Sequence, residues 1–168
     1  LPKTSRLEFR PFSMSDLEVL IDLHSDPDVM RWLTPDGRMW SQAELEARLR
    51  GFVSSQEMHG FSRWKVHRRD TGELIGRAGF AVYPPTGEIE LGFSFRKSAW
   101  GQGYGSECAG ALVNWLFQTD PKVDHVIAFA QPANVGSCRI LEKIGMRPTH
   151  VEEIGGAPYR FYRLDWGR

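Results

Sequence analysis

Three glycines within five positions carry the clearest chemical signal in this sequence. They are Gly101, Gly103 and Gly105, and they lie between a predicted strand and a predicted helix. Glycine lets backbone N–H groups approach an anion closely, and the N-terminus of the following helix adds partial positive charge. The spacing therefore predicts a cradle for a diphosphate. A purely structural turn into the helix is the alternative.

Two familiar diphosphate-binding motifs do not fit this loop. The dinucleotide-binding pattern G-x-G-x-x-G fails because Ser106 stands where its last glycine belongs. The P-loop pattern fails because no Gly-Lys-Ser/Thr sequence follows the glycines. A nucleotide-binding module that uses the same loop for another diphosphate stays an open alternative without a motif to support it.

The segments around the loop predict a mixed sheet covered by helices. Apolar residues alternate from Ile89 to Phe95, and two earlier strands joined by tight turns precede them, which predicts an antiparallel meander. After the loop come a helical pattern, an apolar β-branched run at 123–130, a helix at 134–144 and two final strands. The expected fold class is α/β, in the sense of an α+β mixed sheet.

The first half of the chain predicts one strand and two helices. The strand ends at Pro11, and the first helix runs from about Ser15 to the Asp26-Pro27 pair. A loop is expected from position 30 to 40. A capping box formed by Ser41 and Glu44 then opens the second helix.

Composition excludes several classes of protein. The chain has 168 residues, with 21 Lys and Arg against 21 Asp and Glu, so it lacks the excess of positive charge that nucleic-acid binding by bulk electrostatics needs. No apolar run approaches the length of a membrane span. Cys108 and Cys138 lack disulfide or zinc-site spacing, so we expect no metal and a reducing compartment. With no signal-peptide pattern at the start of the sequence, we expect a cytoplasmic protein.

The glycine loop and a later helix together resemble a known superfamily. The loop follows Glu90-Leu91-Gly92-Phe93-Ser94-Phe95 and precedes the pattern Asn134-x-x-Ser137-x-x-x-x-Glu142-Lys143-x-Gly145-Met146. This combination resembles the GCN5-related N-acetyltransferase (GNAT) superfamily, in particular its ribosomal-protein N-terminal acetyltransferase-like branch. The resemblance implies one domain over residues 1–168. It also implies a mostly antiparallel sheet of six or seven strands with a splayed pair, flanked by about four helices.

The resemblance also implies acetyl-CoA as the acetyl donor and assigns residues to it. The glycine loop would hold the pyrophosphate, and the preceding strand, which in the family carries a bulge, would pair its backbone with the pantetheine arm. Arg139 either meets a phosphate of CoA or is an ordinary surface residue. The cofactor-binding residues expected are Phe93, Ser94, Phe95, Gly101, Gln102, Gly103, Tyr104, Gly105, Ser106, Asn134, Ser137 and Arg139.

Two residues are expected to take part in acetyl transfer to a primary amine. Glu90 stands where the family often has a general base, although a solvent-facing carboxylate is the alternative. Ser137 could protonate the leaving thiolate, or only contact CoA. Many family members place a Tyr seven positions after the Asn for this proton, and this chain has Leu141 there. A non-catalytic acyl-CoA-binding or sensor domain is therefore the alternative function.

The acceptor is expected to be a small molecule or a protein N-terminus. By resemblance, the residues that line its site are Trp32, Met39, Trp40 and Tyr159. Residues 1–60 help to line that site and carry slightly more acidic than basic residues. This excess favours a cationic acceptor. The expected partners include neither nucleic acid nor membrane, and the protein is expected to be a monomer or a homodimer.

Overall fold

The computed structural model describes residues 1–167 and contains one seven-stranded sheet. Its strand order is β1-β2-β3-β4-β5-β7-β6. The strands are β1 (Leu7–Pro11), β2 (Arg63–Arg68), β3 (Leu74–Val82), β4 (Ile89–Phe95), β5 (His125–Ala130), β6 (Arg147–Ile154) and β7 (Ala157–Asp165). The expected meander of three strands is confirmed as β2, β3 and β4, and the two final strands are confirmed as β6 and β7.

Strands β4 and β5 form the one parallel pair within residues 1–167, and they separate almost at once. Their pairing is limited to Glu90 opposite Ile127, whereas the other neighbours pair antiparallel over longer stretches. This is the expected splayed pair. The expectation of a bulge on β4 is wrong. The register between β3 and β4 is continuous from the Val82 and Ile89 pair to the Gly76 and Phe95 pair.

Within residues 1–167, five α-helices accompany the sheet. They are α1 (Leu17–Leu23), α2 (Pro27–Met30), α3 (Gln42–His59), α4 (Tyr104–Thr119) and α5 (Val135–Lys143). The expectation of about four helices missed α2. Its first residue is Pro27, which suits a first helical position, and the Asp26 side chain accepts a hydrogen bond from the Asp28 N–H at 2.9 Å. The expected capping box of α3 is confirmed.

The helices cover both faces of the sheet. Trp64 of β2 packs edge-on against Trp115 of α4, with ring centroids 5.2 Å apart, in the larger core cluster. The next residue, Lys65, points to the opposite face and pairs with Asp16, just before α1, at 2.8 Å. A second cluster on that face joins α1 and α3. Among residues 1–167, no helix has the length and apolar character required to cross a bilayer.

Candidate active site

A groove of about 1030 Å³ opens where β4 and β5 separate. All but two of the site residues expected from the sequence line it, in three groups by their expected roles. The expected catalytic residues that line it are Glu90 and Ser137. The expected cofactor-binding residues are Phe93, Ser94, Phe95, Gly101, Gly103, Tyr104, Gly105, Ser106, Asn134 and Arg139, and the expected acceptor-site residues are Trp32, Trp40 and Tyr159. The sequence signals thus converge on one surface.

Two expected residues do not line the groove. The side chain of Gln102 turns back, and its Nε2 donates to the Ser98 carbonyl at 2.9 Å. Met39 is 41% exposed and lies in the irregular segment before α3. Its neighbour Trp40 packs against the second core cluster. Neither side chain lines the groove, and the expected contacts of Gln102 with the cofactor and of Met39 with the acceptor stay predictions.

The glycine loop leaves unpaired N–H groups at the start of a long helix. Gly101 and Gly103 have φ values of 73° and 81°, in the left-handed region that favours glycine. Gly103 caps α4, and Glu107 is the first α4 residue whose N–H finds an acceptor, the Gly103 carbonyl at 3.2 Å. Within residues 1–167, the N–H groups at 104–106 have no hydrogen-bond acceptor. These groups and the helix dipole form a site suited to a diphosphate.

The third glycine of the loop serves packing. A Cβ on Gly105 would collide with Cδ1 of Ile140, so glycine is what lets α4 approach α5 closely. Sequence reasoning treated the three glycines alike. Their functions differ, because two set the backbone conformation and one removes a side chain.

Arg6 supports the loop from behind and was missed from the sequence. Its Nη1 donates to the Gln102 carbonyl at 2.9 Å, and its Nε pairs with Glu107 at 2.6 Å. The guanidinium also lies 4.4 Å from the centroid of the Tyr104 ring. No spacing rule links position 6 to position 102, so this role depends on tertiary structure.

The open edge of β4 presents backbone groups to the groove. The N–H of Arg96 donates to the Ile75 carbonyl at 2.8 Å, and this bond fixes which β4 residues pair with β3. Backbone hydrogen bonds to a neighbouring antiparallel strand are made by every second residue. Ser94, Gly92 and Glu90 therefore hydrogen-bond to β3, and the backbone N–H and C=O groups of Phe93 and Phe95 point toward β5. The Phe95 carbonyl accepts a hydrogen bond from the Trp100 indole at 2.9 Å, so this carbonyl is already occupied.

Glu90 lies inside the groove beside a buried arginine. Arg63 Nη2 donates to Glu90 Oε2 at 2.8 Å, and the two side chains are only 10% and 14% exposed. The alternative of a solvent-facing carboxylate is therefore wrong. Arg63 reaches Glu90 by crossing Gly79 and Gly92, and a Cβ on Gly92 would lie 2.5–2.7 Å from its guanidinium atoms. Glu90 Oε1 has no hydrogen-bond partner within residues 1–167.

A second buried arginine, Arg77, is held by a neutral histidine. The Arg77 Nε donates to His24 Nε2 at 3.0 Å, and His24 Nδ1 donates to the Leu20 carbonyl at 2.7 Å. Burial and the nearby charge of Arg77 lower the pKa of His24 to about 3. His24 is structural, since it orients a groove-lining guanidinium.

Asn134 and Ser137 form a pair at the start of α5. The Asn134 Oδ1 caps the helix by accepting from the Ser137 N–H at 3.3 Å, and its Nδ2 donates to Ser137 Oγ at 2.9 Å. Because Ser137 accepts this bond, its own hydroxyl hydrogen is free to be donated. Leu141, at the position of the family's Tyr, is 2% exposed and also lines the groove.

Neither cysteine is placed to act as a nucleophile. Both are free and buried, and burial raises the pKa of the Cys108 thiol well above its usual range. Cys138 directs its Sγ toward the Gln131 carbonyl, 3.7 Å away. Among residues 1–167 there is also no cluster of three or more His, Cys, Asp or Glu side chains suited to a metal ion.

Sequence reasoning missed the three arginines that line one end of the groove, Arg48, Arg63 and Arg77. One signal could have identified Arg77. It is the one charged residue in the run Leu74–Val82, which is otherwise apolar or glycine. A charged residue within such a strand faces either solvent or a polar site. Arg48 and Arg63 carry no comparable local signal.

Comparisons with known proteins agree with this geometry. The family model described as "Acetyltransferase (GNAT) domain" matches residues 6–147. The "Uncharacterized N-acetyltransferase YnaD" of Bacillus subtilis (strain 168) is 31% identical over 144 residues, covering 86% of this chain and 81% of that protein. A GNAT-family acetyltransferase from Bacillus anthracis superposes with a TM-score of 0.80 at 27% identity, covering 98% of this chain and 97% of its own.

A further solved structure supports the fold alone. RimL, a ribosomal L7/L12 α-N-protein acetyltransferase in complex with coenzyme A, has a TM-score of 0.80 at 18% identity, with 98% of this chain and 96% of its own covered. The family model covers most of the chain, and its relatives extend that match along nearly the whole sequence. The chain therefore belongs to the GNAT family of acetyltransferases.

Proposed function

We propose that residues 1–168 act as one domain that transfers the acetyl group of acetyl-CoA directly to a primary amine. One observation carries the proposal: the open edge of β4, the unpaired N–H groups of the glycine loop and the Glu90 carboxylate all border the same groove. The two free, buried cysteines also favour a cytoplasmic location.

The groove fits acetyl-CoA in its charge and in its unpaired backbone groups. When bound, acetyl-CoA supplies the acetyl group as a thioester. The N–H groups at 104–106 would bind the pyrophosphate, with exposed Arg139 nearby on α5. The backbone of Phe93 would pair with the pantetheine arm. An N–H on this edge would donate to the thioester oxygen as negative charge develops there. RimL, which was solved with coenzyme A, has the same fold.

Glu90 would deprotonate the acceptor. A terminal amine or a lysine amine titrates at about 8 to 10.4, so its proton must be removed near neutral pH before it can attack. Arg63 holds Oε2 of Glu90, which leaves Oε1 for the amine or for a bridging water. The new N–C bond forms as the C–S bond breaks, and the amine's proton passes to Glu90.

Ser137 would assist the departing thiolate. Its hydroxyl accepts from Asn134 and therefore donates its own proton toward the groove, after which solvent restores it. The buried Leu141 cannot do so. That substitution favours a second candidate, a domain that binds acyl-CoA without turnover.

Initial-rate kinetics with Glu90→Gln test the proposal. We expect kcat to fall about 10²- to 10⁴-fold while the Kd for CoA is retained. Glu88→Gln is the matched control, because Glu88 pairs with His125 at 2.7 Å and does not line the groove. Unchanged kcat in Glu90→Gln would remove Glu90 as the base. CoA binding without thiol release from any amine would favour the binding-domain candidate.

A further inference from the structure

The charges that line the groove are strongly unbalanced. Its acidic lining within residues 1–167 is Glu90 alone, against four arginines. Arg139 lies on α5, near the expected phosphates. Arg48, Arg63 and Arg77 lie around Glu90, where the acceptor would bind. The acidic excess of residues 1–60 therefore does not reach the groove, and the hint of a cationic acceptor does not hold at the site itself.

Two of these guanidinium groups have no carboxylate partner. Arg63 is paired with Glu90, but neither Arg48 nor Arg77 forms an ion pair within residues 1–167. Arg77 is only 8% exposed, and its Nε is bound to His24 while its two terminal nitrogens have no hydrogen-bond partner there. Burial and the charges of Arg63 and Arg48 lower the pKa of Arg77 to about 9, so it still carries its charge at neutral pH.

The surroundings hold these groups in place. The Arg48 guanidinium lies 3.6 Å from the centroid of the Trp40 ring, and Trp40 packs against His24, which holds Arg77. A buried charge without a partner, as at Arg77, is costly, and an anion bound between Arg77 and Arg48 would offset that cost. Guanidinium groups bind carboxylate and phosphate oxygens in a bidentate manner.

We propose that the acceptor amine carries an oxyanion group, a carboxylate or a phosphate, which Arg77 and Arg48 bind while the amine faces Glu90. This inference rests on the proposed function, because it assumes that the amine enters this end of the groove. The same positive field disfavours a protonated amine there, and so assists its deprotonation. Trp40 and Phe52 lie against Arg48 and Arg77, and Trp32 also lines the groove, which suits an acceptor with an apolar body.

Matched acceptor pairs test the inference. We would compare kcat/KM for phenylalanine with that for phenylalaninamide, and for O-phosphoethanolamine with that for ethanolamine, with spermidine as a polycation. The two pairs separate carboxylate from phosphate. We expect the anionic member of at least one pair to be favoured at least about tenfold. The amide's amine loses its proton more easily than that of the acid, so intrinsic reactivity works against the expected result.

Variants connect the preference to the arginines. Arg48→Gln should remove most of the preference, and Arg77→Lys should reduce it, since lysine keeps the charge but not the bidentate geometry. Arg48 is exposed on α3, so its variant should fold even if a change at Arg77 does not. Arg50→Gln is the matched control on the same helix. Arg50 is exposed and pairs with Glu46, and its variant should keep the preference.

A binding measurement separates this inference from the proposed function. In the CoA-loaded protein, N-acetylphenylalanine should raise Tm, N-acetylphenylalaninamide should not, and Arg48→Gln should abolish the difference. Equal kcat/KM within both pairs, or a preference for spermidine, would overturn the oxyanion site while leaving acetyl transfer intact. Absence of transfer to any amine, together with Arg48-dependent binding of N-acetylphenylalanine, would refute the transfer and support the oxyanion site.

Discussion

Arg63 and Glu90 form a buried ion pair across two strands, with Nη2 and Oε2 2.8 Å apart. The Arg63 guanidinium occupies the space that a Cβ on Gly92 would take, so this glycine lets the arginine cross the sheet to Glu90. One carboxylate oxygen is thereby held and the other is left to the groove. The orientation of the proposed base thus depends on one glycine of β4.

We expect Gly92→Ala to lower the rate of acetyl transfer without preventing folding. The new Cβ would displace the mobile end of Arg63 and not the backbone, so the protein should still fold and bind CoA. Loss of one charge-assisted hydrogen bond should lower kcat/KM for the amine about tenfold or more. Gly51→Ala, in the open middle of α3, is the control and should retain full activity. Wild-type kcat/KM in Gly92→Ala would show that Arg63 does not orient the base.

Gly101→Ala should weaken CoA binding through the backbone of the loop. Gly101 has φ 73°, and a Cβ added there would have no atom within 4 Å, so the substitution adds strain without a collision. Gly87→Ala is a close match, with φ 75° and equally open space, in the turn between β3 and β4. Both should lose about 1 kcal/mol of stability. Calorimetry should show a weaker Kd for CoA in Gly101→Ala only, and equal Kd values would contradict the cradle.

Ser137→Ala should reduce turnover without reducing affinity. Removing the hydroxyl takes away one hydrogen bond to a developing thiolate, which is worth about a tenfold fall in kcat. The Kd for CoA should change little. Cys138→Ala tests the neighbouring thiol and should leave kcat unchanged, because Cys138 is buried toward Gln131. If kcat is unchanged in Ser137→Ala, solvent or the acceptor supplies the proton to the leaving thiolate.

Stability should fall on acidification because of His24. The folded state holds this histidine neutral, with its pKa lowered to about 3, whereas the unfolded chain takes up a proton near pH 6.5. The unfolded state therefore gains protons first, and this contribution to stability is lost as the pH falls from about 6.5 toward 3. His24→Gln retains a hydrogen-bond donor and an acceptor but cannot titrate, so its free energy of unfolding in urea should fall by about 2 to 3 kcal/mol less than that of the wild type between pH 6 and pH 4. Parallel curves for the two proteins would contradict this role.

The parts of the structure that sequence predicted are those governed by local rules. The capping box at Ser41 and Glu44, the alternation along β4 and the left-handed glycines Gly101 and Gly103 each follow from the properties of a few neighbouring residues. The fold and the phosphate end of the groove could therefore be inferred from sequence alone.

The acceptor end could not be predicted in the same way. Arg63 reaches Glu90 over 27 positions of sequence, and Arg77 reaches His24 over 53, through contacts that only the folded sheet creates. Met39 is exposed while its neighbour Trp40 packs against the second core cluster, and no local pattern predicts which of the two is buried. The short helix α2 was missed because Pro27 was interpreted as the end of α1, although proline also suits a helix start.

Acetyl transfer to an amine can be tested directly by measuring free CoA and N-acetylated amine together in one reaction with acetyl-CoA. The amines would include amino acids, phosphorylated amines, polyamines and peptides with free N-termini. We expect equimolar CoA and N-acetyl product with at least one acceptor, and no acetylated protein when the amine is left out. An acetylated protein that forms without acceptor would contradict direct transfer, and CoA binding without any N-acetyl product would contradict acetyl transfer to an amine.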